Sequence, residues 1–289
     1  MNIQAIQQTI SSLWQKFNPT PESYLSEITP RALKDYVDAF LGSDEGALWA
    51  AHIIQDDPAL SQFLPDAPEM AMEQLLQYQG LHAIAVHRKA HALYTKGDVT
   101  QVRALSQAAR RLTAGIEIHP GAKIGKKFFI DHGAGVVIGE TAELGDGVML
   151  YHRVTLGNDG TGDTVKRDDG TERRHPKLGN DVTLSTGAEI LGAATLGDNV
   201  VVGAGARIIG AVKIGDNVTI APGMIVRQDV PDNVRLVPSH SPDLGALDKE
   251  TNQPLPNLPN ARHGADEPFT ARLMRLRKGR VAPESLKKE

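Results

Sequence analysis

The sequence predicts an α+β protein, with an α-helical N-terminal domain, then a parallel β-helix that extrudes one loop, then a C-terminal tail. Three observations point there. Apolar residues fall on a strict six-residue beat at Ile118, Ile124, Ile130, Val136, Ala142, Val148 and Val154, and again at Leu178, Leu184, Ile190, Leu196, Val202, Ile208, Ile214 and Ile220. Between the two runs lies a polar stretch, GNDGTGDTVKRDDGTERRHPK, with no apolar residue on the beat. Before them, apolar residues recur at helical spacing. A helix repeats near 3.6 residues and a strand at 2, so neither gives a six. A chain that turns a corner every six residues does, with each apolar side chain pointing inward at the same place on successive coils. Gly and Asn near the corners take backbone angles that other residues resist.

In chain order, residues 1–114 are expected to form the helical domain. Ile3, Ile6, Ile10, Leu13, Trp14 and Phe17 share a helical face. Thr20-Pro21 and Thr29-Pro30 each set a capping hydroxyl before a proline, a pattern that starts helices. A third apolar face runs through Leu75, Leu76, Leu81, Ile84, Ala85 and Ala92, and a fourth segment from Val102 to Leu112 ends near Gly115. Such helices would cap the open end of the coils, whose edge groups would otherwise go unpaired. Residues 115–238 are expected to form the coils, with the loop at 157–177. Long ordered loops in compact domains are more often functional than decorative. Residues 239–289, with several prolines and many charges, read as a partly disordered tail with a short helical stretch around Phe269 to Leu276.

The 289 residues are 40% hydrophobic and 23% charged, the balance of a soluble globular protein. No apolar run nears the roughly 18 residues of a membrane span. The opening MNIQAIQQTISSLWQK lacks the basic start and apolar core of a secretory signal. No membrane partner and a cytoplasmic location are therefore expected. A net charge of -4 gives no reason to expect nucleic acid. Zero cysteines exclude disulfides, thiolate metal sites and an acyl-cysteine intermediate within this chain.

Four histidines fall in the coil region: His119, His132, His152 and His175. Zinc would need imidazoles converging on one point, and spacings of 13, 20 and 23 do not suggest it, so no metal is expected. His119 and His152 read as hydrogen-bonded structural residues. His132 sits in IDHGAG, after an acid and before small residues, which leaves its ring approachable. Glu117 lies fifteen residues earlier, in GIEIHPGA. With about 18 residues to a coil, the two should fall near the same corner of adjacent coils. A carboxylate there would fix the tautomer of His132 and support it as a general base. A corner salt bridge without chemistry fits the spacing equally well.

The same residues carry a family resemblance. GIEIHPGAKIG, FFIDHGAGVVIGETAELGDGV, VTLGN and RRHPKLGNDVT, preceded by LLQYQGLHAIAVHRKAHALY, closely resemble bacterial serine O-acetyltransferases over about Leu75 to Pro231. The resemblance implies a left-handed β-helix, and a homotrimer or dimer of trimers with active sites between neighbouring subunits. It implies transfer of acetyl from the cosubstrate acetyl-CoA to the hydroxyl of L-serine, giving O-acetyl-L-serine and CoA in cysteine synthesis. By it, His132 is the catalytic base and Glu117 the acid that orients it. Asp131 contacts serine, Arg174 and His175 reach the substrate from the loop, and Asp66, in preference to Asp57, holds the ammonium group. CoA lies along Ser185, Thr186, Gly187, Ala204 and Gly205.

The chemistry agrees with that reading. A serine hydroxyl needs a base to take its proton, and backbone N–H groups at a Gly-rich corner could receive the thioester oxyanion. Without a cysteine, direct transfer in a ternary complex is expected. The chain also departs from the family. Its loop is longer, and His152-Arg153 stands where a small or amide residue is usual. It ends Lys287-Lys288-Glu289 instead of in the isoleucine that inserts into O-acetylserine sulfhydrylase, so a stable complex with that enzyme is not expected. Two alternatives remain: an O- or N-acetyltransferase for homoserine, a serine derivative or a sugar, and a non-catalytic partner-binding β-helix, which predicts a broken dyad.

Overall fold

The computed structural model describes residues 30–56, 74–97, 99–238 and 246–251. The chain divides into two compact units, Met1–Arg153 and Val154–Glu289. The helical face from Ile3 to Phe17, the Thr20-Pro21 start, Asp57, Asp66 and the stretch Phe269 to Leu276 lie outside the described residues.

In the first unit, helix α1 (Pro30–Leu41) begins on Pro30, as the Thr29-Pro30 pair signals. Helix α2 (Asp44–Asp56) is capped by Ser43, whose hydroxyl accepts the Gly46 N–H at 3.1 Å. Helices α3 (Gln79–Tyr94) and α4 (Val99–Leu112) carry the third and fourth apolar segments and pack on each other. Val86 and Ala90 of α3 meet Val102, Leu105, Ala108 and Ala109 of α4. Small residues at that seam let the two backbones approach.

The same helices are tied to the strands beside them. Gly80 lies so close to Ile130 that a Cβ there would stand 2.2 Å from its carbonyl oxygen. The Arg88 guanidinium donates to the carbonyls of Ile124 (2.7 Å) and Gly125 (2.6 Å) and pairs with Glu45 at 2.9 Å. The Trp49 indole N–H donates to the Phe128 carbonyl at 2.5 Å, and the Ser106 hydroxyl to that of Ile118 at 2.7 Å. His87 is buried between these elements, its Nε2 without a partner, and burial pushes its pKa down to about 3.

Six two-residue strands follow: β1 (Glu117–Ile118), β2 (Lys123–Ile124), β3 (Phe129–Ile130), β4 (Val137–Ile138), β5 (Glu143–Leu144) and β6 (Met149–Leu150). They pair in parallel as β1 with β4, β2 with β5 and β3 with β6. Glu117 stands beside Val137, Lys123 beside Glu143 and Phe129 beside Met149, so this coil takes 20 residues. The inward strand residues therefore change from Ile118 and Ile130 to Ile138, Leu144 and Leu150. The beat positions Val136, Ala142 and Val148 become the residues just before each strand, and they are buried too. A two-residue slip hides inside an unbroken six-residue beat.

The second unit runs β7 (Thr155–Gly157), β8 (Val165–Lys166), β9 (Glu172–Arg173), β10 (Lys177–Leu178), β11 (Thr183–Leu184), β12 (Glu189–Leu191), β13 (Thr195–Leu196) and β14 (Val201–Val202). It continues with β15 (Arg207–Ile209), β16 (Lys213–Ile214), β17 (Thr219–Ile220), β18 (Ile225–Val226), β19 (Val234–Leu236) and β20 (Ala246–Asp248). Three parallel faces result: β7-β12-β15-β18, β10-β13-β16 and β11-β14-β17-β19. Here the register is 18, as in Glu189 beside Arg207 and Thr183 beside Val201. Only Thr155 beside Glu189 spans 34 residues, the extra length being the extruded loop.

Corner glycines have a concrete cause in this unit. The Oδ1 atoms of Asp198, Asp216 and Asp232 accept the N–H groups of Asn180, Asp198 and Asp216 in the coil before, at 2.6, 2.7 and 2.8 Å. A Cβ on Gly179, Gly197 or Gly215 would stand 2.4, 2.1 or 2.1 Å from those oxygens. Two expectations are corrected. The loop is not bare of regular structure, because β8 and β9 form an antiparallel hairpin. The tail from 239 is not wholly irregular, because β20 adds antiparallel to β19 and covers that edge. No helix among the described residues is long and apolar enough to cross a membrane.

Candidate active site

His132 occupies the corner where the two extra residues enter. Its φ is +59°, and Gly133 and Gly135 follow at +73° and +72°. This run of left-handed angles throws the imidazole outward, leaving its side chain 71% exposed. Nε2 lies 3.7 Å from Asp131 Oδ1, too long for a hydrogen bond but close enough for charge to act. One coil on, His152 presents its ring edge-on to His132, centroids 5.9 Å apart at 79°. The backbone supports that stacking: the Asp131 N–H donates to the Leu150 carbonyl (2.9 Å) and the Arg153 N–H to that of Ala134 (2.8 Å). His152 Nδ1 is buried without a hydrogen-bond partner, so it is not the satisfied structural histidine expected from sequence. His119 is one: its Nδ1 accepts the Gly121 N–H at 3.0 Å.

Glu117 does not meet His132 in a hydrogen bond. Its carboxylate, 17% exposed, turns to helix α4. Oε1 accepts from Gln107 Nε2 at 2.9 Å and from Arg103 Nη2 at 3.3 Å, while Oε2 accepts from Arg110 Nη1 at 3.0 Å. The 20-residue register explains this. Glu117 lies beside Val137, five positions past His132, whereas an 18-residue coil would have set the pair closer to one corner.

In the second unit the hairpin carries Arg173 and Arg174 to opposite environments. Arg173 is 3% exposed. It donates to the carbonyls of His175 (2.6 Å), Ala194 (2.9 Å) and Ala193 (3.0 Å) and to Thr195 Oγ1 (2.8 Å). This residue, missed from sequence, fastens the base of the loop. Arg174 faces solvent, and His175 is buried. Ser185–Gly187 and Ala204–Gly205 form successive corners, the Gly205 N–H donating to the Thr186 carbonyl at 2.9 Å. A Cβ added to Gly187 or Gly205 would meet nothing within 4 Å, so open space borders the backbone there. Among the described residues no group of three or more His, Cys, Asp or Glu could hold a metal ion.

Comparisons with known proteins give this geometry its family. A family model for bacterial transferase hexapeptide repeats matches residues 175–210 and 193–228. Serine acetyltransferase of Helicobacter pylori is 51% identical over 141 residues, 49% of this chain and 72% of that protein. The chain belongs to the serine acetyltransferase family. Serine acetyltransferase of Bacillus licheniformis is 49% identical over 144 residues, which are 50% of this chain and 59% of that relative's length. Among solved structures, Neisseria gonorrhoeae serine acetyltransferase superposes with a TM-score of 0.54 at 28% identity, covering 87% of this chain and 92% of that one. Serine acetyltransferase of Brucella abortus in complex with coenzyme A does so at 0.51 and 28%, covering 81% and 88%. These likenesses and the hexapeptide match fit a left-handed β-helix.

Proposed function

We propose that this chain transfers acetyl from acetyl-CoA to the hydroxyl of L-serine, as the names of its relatives indicate for them. The observation that carries the reading is His132: an outward imidazole on a left-handed corner, beside a carboxylate and stacked on a second imidazole. The ring takes the serine Oγ proton as that oxygen attacks the thioester carbonyl. When the tetrahedral intermediate collapses, the C–S bond breaks, and the imidazolium returns its proton to the departing CoA sulfur. Asp131, 3.7 Å from Nε2, favours the cation that forms between those steps and faces the place where an ammonium group would lie.

In this reading Glu117 acts from a fixed position behind the base, Arg174 and His175 hold the acceptor carboxylate, and Asp66 holds its ammonium. The corners at Ser185, Thr186, Gly187, Ala204 and Gly205 supply backbone groups beside open space for CoA. Residues 1–114, 115–238 and 239–289 are assigned as helical domain, catalytic coils and tail. We place the enzyme in the cytoplasm as a homotrimer or a dimer of trimers, without a stable sulfhydrylase partner.

The test is an acceptor screen with acetyl-CoA, reading thiol release for serine, homoserine, O-substituted serines and amino sugars. Serine should turn over fastest. Brisk turnover of another acceptor beside none of serine would replace this function with its alternative.

A further inference from the structure

Helix α4 points three side chains at one carboxylate. Arg103, Gln107 and Arg110 stand at i, i+4 and i+7, a single face of the helix, and each donates to Glu117. An ionised carboxylate offers about four acceptor positions. Oε1 has both of its own filled, by Arg103 and Gln107. Oε2 has one filled, by Arg110, and one left. Such a group cannot swing freely, because any rotation breaks two or three charge-assisted contacts in a site only 17% exposed. The neighbouring residue is held as well, the Ile118 carbonyl by the Ser106 hydroxyl of the same helix at 2.7 Å. The strand that bears Glu117 is thus fixed along its length by α4.

We infer that Arg103, Gln107 and Arg110 are positioning residues for the acetyl transfer: they aim Glu117, leave it one acceptor position, and offset its charge so that its pull on the His132 imidazolium is moderated. The inference rests on the reading of His132 as base and Glu117 as its support. The charged and titratable groups concerned are Asp131 and His152 beside His132, and the two arginines around Glu117. Removing one arginine leaves the carboxylate's field less compensated, which favours imidazolium and moves the working range of the base to higher pH.

The experiment compares Arg110→Gln, Arg110→Lys, Gln107→Ala and Glu117→Gln with the full-length enzyme, measuring kcat, both KM values, the pH profile of kcat/KM and the unfolding midpoint. Arg110→Gln should lower kcat about tenfold, leave KM for acetyl-CoA unchanged and shift the acid limb upward in pH. Arg110→Lys, which keeps the charge, should restore the limb and most of the rate. If Arg110→Gln melts too low to assay, Gln107→Ala, which alters no charge, should still reduce kcat with KM for acetyl-CoA unchanged. Wild-type kcat and pH profile in both variants beside an inactive Glu117→Gln would overturn the inference and leave the proposed base intact. A lowered midpoint with kcat and profile unchanged would also overturn it, making the cluster a structural tie alone. Full activity in both Glu117→Gln and a His132 variant would instead remove the proposed mechanism.

Discussion

In the coils of Val154–Glu289 successive corners repeat one another. Glu189 stands beside Arg207 and Lys177 beside Thr195, always 18 residues apart, and the Gly223 N–H donates to the Ala204 carbonyl at 2.8 Å as Gly205 donates to Thr186. At 131–135 the chain spends two more residues on the same turn and adopts three left-handed angles in four positions. The regular corners are scaffold, and open space lies beside their glycines. The irregular corner is tightly backed: a Cβ on Gly133 would stand 2.4 Å from Ile116 Cδ1. An inserted pair of residues converts a turn that only closes a coil into one that presents a ring to solvent. Reactive groups on a repetitive scaffold are to be sought where the repeat fails.

That contrast can be broken in several ways. The largest expected effect is from His132→Asn. Asn tolerates φ near +60°, so the corner should survive and unfolding should change by less than about 0.5 kcal/mol, while turnover falls about 10²- to 10⁴-fold. Steady-state rates with a denaturant titration decide it; equal loss of both would make His132 a folding residue. Next is the pair of adjacent arginines. Arg173→Met strands three buried carbonyls and should cost about 3 kcal/mol in chemical unfolding, whereas Arg174→Met should stay within about 0.5 kcal/mol and raise KM for serine. The reverse pattern would reassign the two. Smallest is a glycine comparison. Gly133→Ala should destabilise by about 2 to 3 kcal/mol, since strain and a clash combine, and Gly205→Ala by about 1 kcal/mol from backbone strain alone. Equal costs at both sites would show that the irregular corner is no more tightly backed than its regular counterparts.

Much of the architecture was legible in the sequence, and the gaps have identifiable causes. The six-residue beat located the coils because every beat position is buried apart from the half-buried Ile124. The same property concealed the slip. Both the inward strand residue and the residue two places before it are apolar, so Val136 could replace Ile138 in the pattern without a visible break. From that followed the misjudged meeting of Glu117 with His132 and the overlooked stacking of His132 on His152, twenty residues apart. Helices α3 and α4 were readable from their apolar faces, but the polar face of α4 gave no sign of its target, since Arg103, Gln107 and Arg110 resemble any solvated stripe. Arg173 and Arg174 could not be told apart, because strand alternation decides which one turns inward, and a two-residue strand has too little pattern to set its phase.

His87 gives the helical unit a defined tolerance to acid. The unfolded chain accepts a proton on this imidazole near pH 6.5, while the folded chain refuses it until about pH 3. Between those values the unfolded state binds more protons, so its share grows as the medium is acidified. The contribution is whole above pH 6.5 and drains away toward pH 3, by up to about 1.4 kcal/mol for each pH unit. A neutral residue of similar bulk at this position should flatten that decline in unfolding titrations, and an unchanged slope would show that some other group sets the limit.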